Sequence, residues 1–277
     1  DWLERSLGTL GGGNHFIEVD VDKNRDKYLV IHTGSRNLGY QVARYYQEKA
    51  IEYCSNKKDY EKEKKNIIRT LKEQGRQREI QKALEELEKE YKDFEIKVPK
   101  ELCYLEGKLK EKYLHDMKVC QIFAQLNRRM IAEIILNKLL GKKLENYKYF
   151  HTTHNYINFK DNIIRKGAIS AYKGEKVLIP INMRDGSIIA IGKGNEDWNY
   201  SAPHGAGRLM SRGEAKEKIS LEEYEKSMEE IYTTSVNEYT IDESPMAYKS
   251  IDEIIENTKD TIEIIEIIKP IYNFKAN

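Results

Sequence analysis

The chain reads as an α+β protein: a single complex domain with mixed β-sheets flanked by helices and an inserted charged helical arm. Three observations predict this. Short apolar, β-branched runs such as "HFIEVDVD", "KYLVIHTGS", "KVLIPINM" and "GSIIAIGKGN" end in glycine-rich loops. Segments with apolar residues at helical spacing lie between them. The two kinds of segment alternate without a regular βαβ period, which argues against a doubly wound sheet.

In chain order, residues 1–53 give two strands and then the helix "LGYQVARYYQEKAIEY". Residues 55–100 change character and are dense in charge. Ile80, Leu84, Leu87, Tyr91 and Phe94 recur at steps of four and three, a narrow apolar stripe on a helix, with Gly75 placed to break the segment into a hairpin. A solvated arm packed on the body and an RNA- or partner-contacting arm both fit this pattern. Residues 113–140 form a far more apolar amphipathic helix. Strand-like runs resume with "YKYFHTTHNYINF", helical spacing returns near 221–238 and at "IDEIIENT", and the tail from Asp260 reads as a buried strand.

The 277 residues carry 47 Lys plus Arg against 46 Asp plus Glu, a formal charge of +1. A nucleic-acid site would therefore be a local patch rather than a property of the whole surface. Mean hydropathy is −0.74, and no run of 18 apolar residues is present, so no transmembrane helix is expected. Cys54, Cys103 and Cys120 form no CxxC pair and fit reduced thiols of a cytoplasmic protein. The chain begins at Asp1 with a strong motif within ten residues, so an upstream portion is expected to be missing.

Five of the six histidines stand in chemically suggestive settings: His15 in "GTLGGGNHFIEV", His32 in "VIHTGSRNLG", His151 and His154 in "HTTHNY", and His204 in "SAPHGAGRLMSR". His115, inside the long helix, reads as structural. A strand-end histidine is commonly just a hydrogen-bonded residue. Several flanked by small residues and Asn, Ser or Arg also suit a divalent metal, and the spacing alone leaves both readings open. The Gly11–Gly13 run and the Gly205–Gly207 loop offer backbone N–H groups to an anion. Arg36, Arg165, Lys166, Arg208 and Arg212 are candidate phosphate or RNA contacts. "GSIIAIGKGN" is not a P-loop: the spacing from Gly186 to Gly192 is one residue too long, and Gly194 stands where Ser or Thr belongs.

The motifs "GTLGGGNHFIEV", "HTGSRNLG", "HNYI", "RKGAI", "SAPHGAGRLMSR" and "KPIYNFKA", in this order, resemble the RtcB family of GTP- and manganese-dependent RNA-splicing ligases. The resemblance spans residues 1–277 apart from the helical insertion at 55–100. It implies that His204 is the catalytic nucleophile carrying a covalent GMP, and that His15, His32 and His154 are ligands of Mn2+, two ions being expected. It further implies that Asn14, His15, Phe16, Ile17, Glu18, His154, Asn155, Pro180, Ile181, Asn182, Met183, Ser187, His204, Gly205, Ala206, Gly207 and Lys275 line the guanylate site, with Glu18 and Lys275 as polar anchors.

The implied activity joins RNA ends bearing a 2′,3′-cyclic phosphate or 3′-phosphate to 5′-hydroxyl ends, using GTP and manganese. An activating protein is a further expected partner, and the cytoplasm the expected location. A metal-dependent RNA-end phosphodiesterase and a non-catalytic nucleotide- or RNA-binding fragment are the alternatives. The sequence departs from the family pattern where Ile181–Asn182–Met183 replaces Gly-Ser-Met. It also lacks the family's Asp-x-x-Cys metal motif, which lies upstream of "GGGNHF", so weak or no metal-dependent activity is expected of the isolated fragment.

Overall fold

A computed structural model describes residues 2–55, 57–91 and 98–275. Its elements in chain order are α1 (Trp2–Ser6), β1 (Phe16–Val21), β2 (Lys27–His32), α2 (Arg36–Cys54), α3 (Lys57–Glu73), α4 (Ile80–Glu90) and α5 (Gly107–Leu140). There follow β3 (Tyr156–Asn158), β4 (Ile163–Arg165), β5 (Ala168–Ser170), β6 (Lys176–Asn182), β7 (Gly186–Gly192) and β8 (Ser201–Pro203). The chain ends with α6 (Arg212–Lys218), α7 (Leu221–Ser227), β9 (Tyr232–Thr233), α8 (Ile251–Asn257) and β10 (Ile262–Lys275). This is the mixed α+β architecture expected from the sequence. Among the described residues no helix is long and apolar enough to cross a membrane.

The chain divides into two compact units, Asp1–Arg36 with Gln121–Asn277, and Asn37–Cys120. The first is built on a six-stranded sheet in the order β2-β1-β10-β7-β6, with β9 pairing in parallel to β10. The fourteen residues of β10 serve two neighbours: Ile262–Ile268 pair with β7, and Lys269–Lys275 pair with β1. Each ladder carries a bulge, at Ile265 and at Ile271, on either side of the point where the strand changes partner. One sheet face packs Val177, Ile179, Ile188, Ala190 and Ile262 into the main apolar core. The other packs Phe16, Val30, Ile189 and Ile268.

Local chemistry sets the helix boundaries. Ser211 with Glu214 and Ser220 with Glu223 form capping boxes that start α6 and α7. Ser250 caps α8. The helical spacing read over 221–238 is realised only as far as Ser227. Tyr224 and Met228 pack beside Met183, and the β-branched run from Thr233 to Val236 disfavours continuation. Tyr232 and Thr233 instead join the β10 ladder. The strand read over 147–159 shrinks to β3, because Thr152 Oγ1 is used as acceptor by Leu178 N–H at 3.0 Å and Asn155 turns left-handed.

In the second unit the charged stretch folds as α3 and α4, a hairpin broken around Gly75. Tyr60 and Tyr91 face each other at 5.6 Å between ring centroids, and Leu87 is buried. Phe94 lies outside the described residues. Cys54, distant in sequence from Cys103, accepts the Tyr104 N–H at 3.3 Å and so stands beside Cys103.

Candidate functional site

The sheet and its loops bring four of the singled-out histidines into one row. His32 ends β2 opposite Phe16 and stacks on that ring at 5.2 Å. His15 lies 6.0 Å from His32 on one side, and His154 lies 5.2 Å away on the other. His204 continues the row at 4.7 Å from His154. His151 pairs instead with the Tyr149 ring, and His115 sits beside Asp116 on α5.

Two of these rings have a tautomer fixed by backbone carbonyls. His15 Nδ1 is 2.8 Å from Leu10 O, and His204 Nδ1 is 2.7 Å from Gly167 O. A carbonyl only accepts, so each Nδ1 carries a proton, and in the neutral ring the lone pair lies on Nε2. Gly167 is itself held by Asn155, whose Oδ1 accepts the Gly167 N–H at 2.7 Å.

Burial keeps the other rings uncharged. It pushes the His32 value down to about 3, helped by His154, His15, Lys275 and His204. It pushes His154 down to about 4, helped by His204. Burial lowers His15 too, against its Leu10 hydrogen bond, with Arg36 and Lys275 adding to the effect.

Neutral imidazoles are the donors a borderline divalent cation takes. His32 Nε2 and His154 Nε2 face one another at 3.5 Å. His154 Nδ1 is buried without a hydrogen-bond partner. The set therefore fits a cation such as Mn2+ in kind. It is a partial set, since among the described residues no three His, Cys, Asp or Glu side chains converge on one point.

The glycine turn before β1 is positioned by Asn127 of α5, whose Oδ1 accepts from Gly8 N–H at 2.8 Å and Thr9 N–H at 3.2 Å. Arg36 lies across this turn, its Nε–H donating to Thr9 Oγ1 at 2.9 Å. A Cβ at Gly11, where φ is +82°, would meet Arg36 Nη1 at 1.5 Å, so the guanidinium occupies the space that glycine leaves. Arg36 is thus a cation beside His15.

Arg165, expected as a phosphate contact, is a structural residue. It is 2% exposed and donates to Ser201 Oγ, the Tyr156 and Tyr172 hydroxyls, and the Asn199 and Tyr200 carbonyls. It ties β4 to the β8 strand that leads into His204. Lysine cannot reproduce this fork. Arg165→Lys is expected to destabilise the protein by about 2 kcal/mol, read as a lowered melting temperature.

Arg208 and Arg212 are also engaged internally. Arg208 donates to Asp242 O at 2.6 Å and Met210 O at 3.0 Å and lies over the Tyr248 ring. Arg212 pairs with Asp242 and lies 2.9 Å from Glu243. Lys166 is exposed.

A polar, buried cluster lies on the sheet. Phe16, Glu18 and Lys275 share one face through the β1–β10 register, and Lys275 Nζ lies 5.8 Å from the Phe16 ring centroid. Asn273 Nδ2 donates to Glu18 Oε1 at 2.5 Å. Burial raises Glu18 to about 7, against the Asn273 hydrogen bond and the Lys275 charge. It raises Asp20 to about 9, helped by Glu18.

The "GAG" loop closes against this sheet: Ala206 N–H donates to Pro180 O at 3.1 Å, and a Cβ on Gly205 would stand 3.0 Å from the same oxygen. Ser187 is fully buried with Oγ unpartnered. Ile181 packs in the main core, and Met183 packs under Tyr224, whose hydroxyl lies 3.0 Å from its sulfur. Asn182 builds the β6–β7 turn with Asp185. Asn14, Gly12 and Gly13 are exposed, Ile17 lies within β1, and Gly207 follows Ala206 in the loop after His204.

Glu243, Asp242, Tyr248, Asp20 and Asn127 carried no local motif. Only the three-dimensional structure places them at or beside the site.

An α+β fold with a row of four imidazoles, one of them in a glycine loop, beside buried Glu18 and Lys275 defines a histidine-centred site. The chain belongs to the RtcB family: the family described as "tRNA-splicing ligase RtcB" matches residues 2–276. It is 31% identical over 288 residues to the RNA-splicing ligase RtcB1 of one Escherichia coli strain, and 30% identical to the RNA-splicing ligase RtcB of strain K12. Each alignment covers 98% of this chain. It is 29% identical over 307 residues to the tRNA-splicing ligase RtcB of Nanoarchaeum equitans, covering 92% of this chain and 56% of that protein. The chain spans 62% of the length of the two Escherichia coli relatives.

Proposed function

We propose that this protein takes part in RNA ligation, joining 2′,3′-cyclic phosphate or 3′-phosphate ends to 5′-hydroxyl ends through a guanylate carried on His204. The observation that supports it most is the Gly167 carbonyl on His204 Nδ1, which leaves Nε2 as the nitrogen free to attack. A neutral imidazole needs no pKa depression to attack at pH 7, unlike an amine.

His204 Nε2 attacks the α-phosphorus of GTP, the bond to the β-phosphate oxygen breaks, and pyrophosphate leaves. The ring becomes cationic, and the Gly167 carbonyl on Nδ1–H stabilises that charge. At a cyclic end, water first attacks the phosphorus, the bond to O2′ breaks and O2′ takes a proton, which leaves a 3′-phosphate. A 3′-phosphate oxygen then attacks the phosphorus carried on His204, the P–N bond breaks and the ring is again neutral. The 5′-hydroxyl finally displaces GMP from the activated end and gives up its proton. His15, His32 and His154 would hold Mn2+, which supplies electrostatic stabilisation of the phosphoryl oxygens. Arg36 and the glycine-turn amides hold the phosphates, while Glu18 and Lys275 face the base. GTP, RNA ends, manganese and an activating protein are the partners of this reading, and the cytoplasm its location.

Incubating the protein with a cyclic-phosphate RNA, a 5′-hydroxyl RNA, GTP and Mn2+ is expected to give joined product in low yield, because its metal-ligand set is partial. His204→Ala is expected to give none above background. Opening of the cyclic phosphate without joining by the wild type would favour the phosphodiesterase alternative.

A further inference from the structure

Glu243 closes the short helical turn Glu238–Glu243 and is 3% exposed. Its Oε2 accepts from Lys275 Nζ at 2.6 Å and from the Tyr248 hydroxyl at 2.9 Å. Its Oε1 is ion-paired, 2.9 Å from Arg212 Nη2 and 3.6 Å from Arg208 Nη1. One buried carboxylate thus connects the last residue of β10 to the segment that follows His204. We infer that Glu243 is a positioning residue: it holds the Lys275 ammonium in register with the His204 loop, so that the base anchor and the phosphate nucleophile stay fixed relative to one another. The inference rests on the guanylate reading of this pocket.

The placement has a consequence for base choice. Lys275 is a donor and Glu18 an acceptor flanking the Phe16 ring. Guanine offers O6 and N7 acceptors to such a donor, whereas adenine presents an N6 amino donor at the position of O6. A buried ion pair adds little net stability over apolar packing. Its geometric role is therefore the more informative one. Displacing an anchoring group by about 1 Å weakens recognition steeply.

Calorimetric titration of the purified protein with GMP and with AMP tests this, since the two share the phosphate and differ in the base. Wild type is expected to prefer GMP. Glu243→Gln is expected to lose about tenfold in GMP affinity with AMP affinity unchanged. A role confined to folding would weaken both ligands in parallel, and that result overturns the inference. The pair Lys275→Met and Lys275→Met/Glu243→Gln gives a second reading that does not depend on the single Glu243 variant folding. If Glu243 acts through Lys275, the two bind GMP equally, and weaker binding by the double variant overturns the inference. Equal GMP and AMP binding by wild type removes the guanylate reading itself, and this is seen before any variant is made.

Discussion

Alanine at Gly186 is expected to destabilise the protein by about 2–5 kcal/mol, a large part of the ~5–15 kcal/mol that holds a typical domain together. Gly186 opens β7 with φ at +82°. A Cβ there would stand 2.0 Å from the carbonyl oxygen of Ile268 and 3.0 Å from its carbonyl carbon. A left-handed conformation costs a side chain ~1–2 kcal/mol. Moving the neighbouring strand aside costs about 1–3 kcal/mol more. That strand is β10, where Ile268 faces Ser187, so the damage reaches Pro180, Ser187 and the rest of the pocket. Urea unfolding should show a markedly lower midpoint. Gly213→Ala is the control: nothing lies within 4 Å of that position, and alanine favours the α6 helix.

Asp20→Asn is expected to stabilise the protein progressively as pH rises. Asp20 is fully buried, and neither carboxylate oxygen has a partner. Its folded value is raised from 3.8 to about 9, first by burial and then by Glu18. The contribution of such a group is fully present below pH 3.8 and is lost as pH rises through about 9. In that window the wild type loses ~1.4 kcal/mol per pH unit through this residue, because the unfolded chain ionises freely and the folded one does not. Asparagine does not titrate. The difference in unfolding free energy between variant and wild type should therefore be small at pH 4 and grow steadily toward pH 9. A difference that stays flat across this range would show that Asp20 ionises normally.

Much of the architecture is legible along the chain because strand burial imposes a two-residue alternation and helix burial a longer one. β1 and β6 alternate in this way, while β7, buried almost throughout, stands out as a continuous apolar run, and α5 as a helical one. Its buried positions Cys120, Ala124, Asn127 and Ile131 follow helical spacing. The four histidines of the row were legible because each stands beside small residues that a packed core has no need to place there. What escaped is non-local. Nothing in "TIDESPMAYK" signals that Glu243 meets Lys275 across 32 residues. An arginine's sequence also does not reveal whether its fork will find phosphate or, as at Arg165, hydroxyls and carbonyls of its own chain. The helical spacing from Leu221 onward was outweighed beyond Met228 by pairing of Tyr232 and Thr233 with β10, a tertiary contact that local propensity does not encode.

Intact mass measurement after incubation with GTP and Mn2+ reads out whether His204 carries guanylate. The expected result is a gain equal to one guanylyl group on a fraction of the chains, since the metal-ligand set is partial. It should map to the peptide containing His204, be lost in acid as a P–N bond requires, and be absent from His204→Ala. An adduct mapped to any other residue, or joined RNA made by protein in which His204 carries no guanylate, would contradict the account.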